Sequence, residues 1–211
     1  MTPLRRHALV WLSQTPQPDV ADDADAVASW QAEGHPFVVC RQRGGADRVS
    51  LGFCQASPGQ RPRRIAVQAS PDQIARIARP PSLSEVTSSA AATPSREVVA
   101  GFEHLADASR NEGLDIRVFG SWMWQMLTGE PHVTATSDLD LLIDADSRSE
   151  ADRAAAFLQR EESHLPFRLD GEISLPAKGE IHWKEYLRNE PQILVKSLHA
   201  ARMIPREDLW M

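Results

Sequence analysis

The chain of 211 residues is poor in cysteine, tyrosine and lysine: it has two cysteines, one tyrosine and three lysines. Cys40 and Cys54 form no disulfide framework and no CxxC motif, which predicts reduced thiols. The seven histidines show no HxH, HxxxH or HExxH spacing, and there is no Walker A, GxSxG or GxGxxG motif. A zinc centre, an elbow-type serine hydrolase, a P-loop enzyme and a dinucleotide-binding fold are therefore not expected.

Long apolar runs are also missing from the sequence. No stretch approaches the about 18 residues that a membrane span needs, and the apolar segment at residues 8–12 is too short for a secretory signal. Hydrophobic residues at 42% and charged residues at 25% are ordinary for a globular protein. The sequence therefore predicts a soluble cytoplasmic protein that does not contact a membrane.

Positive charge is scarce in the second half of the chain. The net charge of −6 divides into +2 for residues 1–95 and −8 for residues 96–211. Binding to nucleic acid needs many cationic contacts to phosphates, so the acidic half argues against a nucleic-acid partner. A metal site built of carboxylates, by contrast, suits this charge balance.

Hydrophobic patterning predicts two domains joined by a linker. Residues 1–79 read as an N-terminal α+β domain with a β-hairpin, whose strands are expected at 37–40 and 49–53. A short helix carrying Ile74 and Ile77 is expected after Pro71. Residues 80–92, which are rich in proline, serine and alanine, are predicted to be the linker, and a partly helical linker stays open as an alternative.

Residues 93–211 are predicted to form the second domain, in which helices and strands are mixed. Strands are expected at 116–119, 139–143, 167–175, 181–187 and 193–195. The longest helices are expected after Pro94 and at about residues 149–162. The predicted fold class is α+β, with a mixed sheet in this second domain.

The most informative stretch of the sequence runs from Gly120-Ser121 to Asp138-Leu139-Asp140. Side chains alternate along a strand, so Asp138 and Asp140 share one face about 7 Å apart and repel each other unless a cation lies between them. Mg²⁺ is the candidate, since it prefers hard oxygen ligands and substrate phosphates. Gly120 and Ser121, between a strand and a helix, are predicted to bind phosphate. The combination predicts phosphoryl or nucleotidyl transfer.

Further candidate residues lie downstream of this pair. Asp170 and Glu172 share one face of a predicted strand, so either is a candidate for a third metal ligand or for the general base. We favour Asp170. Lys184 and Lys196 are candidates for binding a substrate phosphate, and the alternative is that both are surface lysines with buried stems.

Several strings of the sequence resemble known families. The Gly-Ser…Asp-x-Asp arrangement resembles the polymerase-β-like nucleotidyltransferase superfamily, with a somewhat longer spacer here. A more specific resemblance is to the phosphoribosyl-dephospho-CoA transferases of malonate decarboxylase, also called holo-acyl-carrier-protein synthases. It is carried by four strings: RVFGSWMWQMLTG, TSDLDLLID, RLDGEI and ILVKS. The resemblance covers most of the chain and is strongest from Arg117 to Ser197. It implies a nucleotidyltransferase-like catalytic domain at residues 93–211.

The resemblance also implies a reaction. Such an enzyme transfers phosphoribosyl-dephospho-CoA from triphosphoribosyl-dephospho-CoA to a serine of the apo acyl carrier subunit of malonate decarboxylase, and it releases pyrophosphate. In this expectation Asp138 and Asp140, with Asp170, hold Mg²⁺, while Gly120 and Ser121 hold the triphosphate. The N-terminal domain is expected to recognise the substrate or the carrier protein.

Two alternative functions stay open at this point. One is a nucleotidyltransferase of the same fold that moves an NMP to another acceptor, with the corresponding transferase of citrate lyase as a near variant. The other is a non-catalytic assembly subunit that binds a carrier protein. Magnesium-dependent release of pyrophosphate separates an enzyme from a binding subunit, and the donor that is accepted separates the two enzymes.

Overall fold

The structure, a computed structural model, describes residues 4–43, 45, 47–57, 62–90, 95–175 and 178–211. These residues fall into two compact units, and the main division lies between Pro80 and Pro81. Residues 127–132 and 198–200 belong to the first unit, whereas the rest of the chain after Pro80 forms the second. No helix among the described residues is long and apolar enough to cross a membrane.

The first unit is built on a six-stranded antiparallel sheet. Its elements are β1 (Leu9–Leu12), β2 (Gln17–Pro18), α1 (Ala24–Ala32), β3 (Phe37–Val39), β4 (Val49–Gln55), β5 (Arg63–Ala69) and β6 (Ile74–Ala78). The strand order is β2-β5-β4-β3-β1-β6. The predicted hairpin is confirmed as β3 and β4, in which Val39 lies opposite Leu51.

The helix predicted after Pro71 is wrong beyond its first turn. Residues 71–73 form a single 3-10 turn, and the following residues form β6. This strand pairs antiparallel with β1, so that Ile77 lies opposite Val10. A segment of five residues is too short to form a stable helix alone, whereas pairing with β1 gives its backbone groups partners.

The second half of the chain forms a mixed six-stranded sheet with helices. Its elements are α2 (Leu83–Ala90), α3 (Arg96–Asn111), β7 (Ile116–Phe119), α4 (Gly120–Thr128), β8 (Leu139–Asp144), α5 (Arg148–Glu162), β9 (Leu169–Leu175), β10 (Gly179–His182), α6 (Trp183–Leu187), β11 (Gln192–Lys196) and β12 (Ala201–Pro205). The strand order is β12-β11-β10-β9-β8-β7. β8 and β9 are parallel and the other neighbours are antiparallel. The predicted α+β class with a mixed sheet is confirmed.

The segment predicted as a linker begins with a helix. Leu83 and Val86 of α2 are buried in the core of the second unit, so residues 83–90 belong to that unit. Residues 91–92 of the predicted linker lie outside the described residues. Composition suggested a linker because serine and alanine are frequent there, but the apolar residues fall three apart, which suits one buried face of a short helix.

Two further segments differ from the prediction near the C-terminus. Residues 181–187, expected as one strand, leave the sheet after His182 and continue as α6. Trp183 and Tyr186 are both buried, because their helical spacing turns both rings toward the core. β12 was not predicted from the sequence, because it is an edge strand whose residues are mostly exposed and show no apolar alternation.

The packing of α5 decides which face of the sheet is polar. Phe157 and Leu158 of α5 are fully buried. A Cβ on Gly171 of β9 would lie 2.8 Å from Leu158 Cδ1, so α5 packs closely against the strand at this point. Because side chains alternate along a strand, Asp170 and Glu172 point to the opposite face of β9. The helix therefore covers one face, and the carboxylates lie on the other.

Candidate active site

Gly120 directly follows β7 and is the first residue of α4, where the chain turns from strand to helix. Its φ of +67° lies in the left-handed region that glycine adopts without strain. A Cβ at this position would overlap the carboxylate of Asp140, so glycine leaves room for that carboxylate. The backbone N–H of Ser121 donates a hydrogen bond to Asp140. The Gly-Ser turn, predicted to bind phosphate, therefore holds the Asp140 side chain in this structure.

Asp138, Asp140 and Asp170 come together where β8 and β9 begin. The two strands are parallel, and their register places Asp140 opposite Asp170. Asp138 directly precedes β8, and its charge acts on Asp140. Leu139 and Leu141 are fully buried on the other face of β8, as alternation along the strand requires. The structure thus brings together the three carboxylates that the sequence singles out.

Two of these carboxylates have a basic partner. Arg168 donates hydrogen bonds from Nε and Nη2 to the two oxygens of Asp138, over 2.8 and 3.1 Å. His182 Nε2 lies 3.1 Å from Asp170 Oδ1. The other ring nitrogen, Nδ1, accepts the backbone N–H of Lys184 at 3.1 Å. An accepting Nδ1 requires the proton on Nε2, so His182 donates to Asp170.

Asp140 differs from its neighbours in having no basic partner. In the described part of the chain, no arginine, lysine or histidine lies within ion-pair distance of its carboxylate. Burial, reinforced by repulsion from Asp170 and Asp138, raises the pKa of Asp140 to about 7. The hydrogen bond from His182 instead holds the pKa of Asp170 below its usual value. Asp170 is therefore ionised at neutral pH, whereas Asp140 keeps its proton until near pH 7.

The other candidate residues belong to two separate ion pairs. Lys196 Nζ lies 2.6 Å from Glu172 Oε1, and the Glu172 side chain is only 6% exposed. A buried carboxylate that is paired in this way is a poor general base, because its oxygen is already engaged. Lys184 Nζ instead pairs with Glu162 of α5 at 2.7 Å. Lys196 is the lysine whose charge also acts on Asp170.

The donor chemistry of the aspartate cluster fits a divalent cation. Asp138, Asp140 and Asp170 present hard oxygen atoms whose mutual repulsion a cation relieves. Within the described residues, no three His, Cys, Asp or Glu side chains are already grouped as metal ligands. Arg168 engages both oxygens of Asp138 in this structure. A cation that binds Asp138 must therefore compete with the positive charge of Arg168.

Arg168 and His182, the two basic residues of the site, were not among the residues predicted from the sequence. Arg168 stands two positions before Asp170, so alternation along β9 was a signal that could have placed it on the same face. His182 becomes recognisable only from the pairing of β10 with β9, which sets it opposite Glu172. Pairing between distant strands is not visible in a single sequence.

Replacing Asp140 with asparagine is expected to stabilise the metal-free protein at pH 8. The folded protein keeps the proton on Asp140 up to about pH 7, whereas an unfolded chain releases it near pH 4. Folding takes up a proton between these values, so this residue lowers the free energy of unfolding as the pH rises from about 4 to 7. Asparagine does not titrate, so the variant does not lose this part of the free energy of unfolding. The loss in the wild type amounts to about 1–3 kcal/mol after allowance for solvent screening.

Thermal unfolding of the wild type and Asp140→Asn in EDTA at pH 5 and pH 8 tests this expectation. The melting temperature of the variant should exceed that of the wild type by several degrees at pH 8, and the difference should shrink at pH 5. A variant that is less stable than the wild type at pH 8 contradicts the electrostatic account of the site.

Fold and site together point to a class of enzyme. Carboxylates that gather beside a glycine turn and the start of a helix are typical of enzymes that transfer phosphate-containing groups. The polar face of a mixed sheet carries the cluster, and a helix packs on the opposite face.

Comparison with known proteins gives the family. The family model for the phosphoribosyl-dephospho-CoA transferase MdcG C-terminal domain matches residues 82–207, and that for the MdcG N-terminal domain matches residues 5–80. A phosphoribosyl-dephospho-CoA transferase of Xanthomonas euvesicatoria is 36% identical over 97% of this chain and 96% of its own length. The protein of the same name from Bradyrhizobium diazoefficiens is 32% identical over 97% and 91%. One from Klebsiella pneumoniae is 26% identical over 94% and 93%. No solved structure matches the chain significantly.

The chain belongs to the phosphoribosyl-dephospho-CoA transferase family, because family models match both of its halves and several relatives exceed 30% identity over nearly its whole length. The family resemblance predicted from the sequence is confirmed, and the chain is a member of a family of transferases. The two family models meet between residues 80 and 82, where the structure divides into its two units. Membership of the polymerase-β-like superfamily stays a prediction.

Proposed function

We propose that this protein is a nucleotidyltransferase-type enzyme that attaches phosphoribosyl-dephospho-CoA to the apo acyl carrier subunit of malonate decarboxylase. The donor is triphosphoribosyl-dephospho-CoA. The hydroxyl oxygen of a carrier serine forms a bond to the α-phosphorus of the donor triphosphate. The bond from that phosphorus to the β-phosphate oxygen breaks, pyrophosphate leaves, and the serine proton passes to a base.

The position of Asp140 is the observation that carries this proposal. Its carboxylate lies against Gly120 and opposite Asp170, with no basic partner among the described residues. Such an arrangement is unfavourable for the protein alone, which the pKa of about 7 for Asp140 expresses. Unfavourable electrostatics retained in a site are typical of residues that bind a ligand of opposite charge.

In this proposal Asp138, Asp140 and Asp170 hold magnesium against the donor triphosphate. Held by these residues, magnesium would neutralise charge on the phosphate oxygens and on the departing pyrophosphate. Asp140 accepts the backbone N–H of Ser121, whereas side chains, those of Arg168 and His182, hold Asp138 and Asp170. Gly120 contributes the space that the carboxylate occupies.

Asp170 has two proposed roles, and the structure favours one of them. The hydrogen bond from His182 lowers the pKa of Asp170, which keeps the carboxylate ionised and suited to a cation. A carboxylate of lowered pKa accepts a proton from serine less readily. Binding the metal is therefore the main role that we assign to Asp170, and His182 fixes one of its oxygens.

The choice of donor separates this proposal from a same-fold enzyme that transfers an NMP. Pyrophosphate release is measured with triphosphoribosyl-dephospho-CoA or ATP as donor and apo carrier subunit as acceptor, with and without magnesium. Release that needs magnesium, the carrier and triphosphoribosyl-dephospho-CoA supports the proposal. Release with ATP alone as donor favours the alternative. No release with either donor leaves a non-catalytic assembly subunit as the better account.

A further inference from the structure

Arg168 is held at the edge of the aspartate cluster by a single ion pair. Its Nε and Nη2 atoms lie 2.8 and 3.1 Å from the two oxygens of Asp138. In the described part of the chain, Asp138 is the acidic residue with which Arg168 pairs. Arg168 stands directly before β9 and two positions before Asp170. It therefore lies beside the place where the donor phosphates are proposed to bind.

The exposure of this pair indicates that it opens easily. The side chain of Arg168 is 75% exposed and that of Asp138 is 33% exposed. Ion pairs in contact with solvent contribute only about 0–1 kcal/mol, since water and salt compete for both charges. A divalent cation can therefore replace the guanidinium at Asp138 for a small cost in free energy. While the pair is closed, the positive charge of the guanidinium beside Asp138 opposes the binding of a cation there.

A guanidinium released from Asp138 remains tethered beside the cluster and suits a phosphate. Arginine donates in a planar fork that matches two oxygens of a phosphate, as it matches the two oxygens of a carboxylate here. The triphosphate of the donor is the group in this site with several such oxygen pairs. A cation on the aspartates and a guanidinium on the phosphates neutralise the same anion from two sides.

We propose that Arg168 is an exchangeable counter-ion: it pairs with Asp138 in the metal-free protein and binds a donor phosphate once a cation has taken its place. This inference rests on the proposed function for the identity of the donor. The exchange at Asp138 needs neither the donor nor the carrier, so it can be tested separately.

The first test measures binding of Mn²⁺, as a probe for magnesium, to the donor-free protein by electron paramagnetic resonance. Arg168→Gln removes the competing cation, so the dissociation constant for Mn²⁺ should fall about two- to fivefold, in line with the weak exposed pair. Arg110→Gln is the matched control, because Arg110 is 69% exposed and pairs with Asp107 at 3.0 Å away from the cluster. The control should leave Mn²⁺ binding unchanged.

The second test measures the KM for the donor at saturating magnesium. Arg168→Gln should raise this KM about tenfold or more, since a charge-assisted contact to phosphate is lost. Arg168→Lys keeps the positive charge but not the planar arrangement of donors. Its KM for the donor should lie between those of the wild type and Arg168→Gln. A structural role for Arg168 would not tighten metal binding while weakening donor binding.

Each outcome bears on a different part of the inference. Mn²⁺ binding that is unchanged or weaker in Arg168→Gln, or absent from the donor-free wild type, overturns the exchange at Asp138. Tighter Mn²⁺ binding with an unchanged donor KM overturns the contact with phosphate. If the wild type transfers the group normally in either case, the inference fails and the proposed function stands. If the wild type binds Mn²⁺ but transfers nothing from this donor, the proposed function fails.

Discussion

Asp140→Asn is expected to lower the rate of group transfer by about 10³-fold or more, while the protein stays folded. Asparagine fits the space beside Gly120 and still accepts the Ser121 N–H, but it carries no charge for a cation. Losing that charge removes several kcal/mol of stabilisation from a transition state rich in phosphate charge, and each 1.4 kcal/mol is about a tenfold change in rate. The rate is measured from the mass of the carrier subunit over time at saturating magnesium.

Asp144→Asn is the matched control for this substitution. Asp144 lies at the other end of the same strand, opposite Ser174, and outside the carboxylate cluster. This variant should transfer the group at close to the wild-type rate. Activity of Asp140→Asn within about tenfold of the wild type would sink the assignment of Asp140 as a metal ligand.

Gly120→Ala is expected to damage both stability and activity. The backbone at Gly120 has a positive φ, so any other residue costs about 1–2 kcal/mol there. The added Cβ would also overlap the Asp140 carboxylate, which must move away. A shift of about 1 Å in a group that holds the reacting centre can lower the rate by about 10²-fold. Thermal unfolding and the transfer rate measure the two effects.

Gly113→Ala separates the backbone cost from the collision with Asp140. Gly113 follows α3 with a φ of +64°, and a Cβ there would meet nothing within 4 Å. The Gly113→Ala variant should therefore lose only the stability that the backbone strain costs, and it should keep its transfer activity. Equal losses of activity in the two variants would show that Gly120 does not act through Asp140.

The carboxylate cluster is the part of the site that the sequence predicts best. Alternation along one strand is enough to place Asp138 and Asp140 on the same face, and a second polar strand downstream adds Asp170. The structure supplies the parallel register that joins the two strands. Magnesium stays a prediction, because it depends on chemistry rather than on the positions of residues.

The residues that the sequence did not yield depend on contacts between distant segments. Arg168 and His182 acquire their roles from the side chains they face, Asp138 and Asp170, which lie 30 and 12 positions away in the chain. The contact of the Ser121 backbone N–H with Asp140 was not expected from the sequence, and phosphate binding by Gly120 and Ser121 stays a prediction. A local pattern shows which groups are available at a turn and leaves open what they bind.

Strands with clear apolar alternation were predicted well, whereas two edge strands without it, β6 and β12, were not. β8 and β9 carry strong alternation in their sequences and are interior strands of their sheet. β6 and β12 are edge strands with few fully buried side chains. The sequence predicted a helix in place of β6 and no element in place of β12. At such edges, pairing of the backbone decides the structure more than side-chain burial does.

The most direct test of the central claim is the intact mass of the apo acyl carrier subunit of malonate decarboxylase. The subunit is incubated with this protein, magnesium and triphosphoribosyl-dephospho-CoA, beside controls that contain EDTA or the Asp138→Asn variant. The account predicts a mass gain of one phosphoribosyl-dephospho-CoA group that is absent from both controls. An unchanged mass, with the donor intact and the carrier folded, would contradict it.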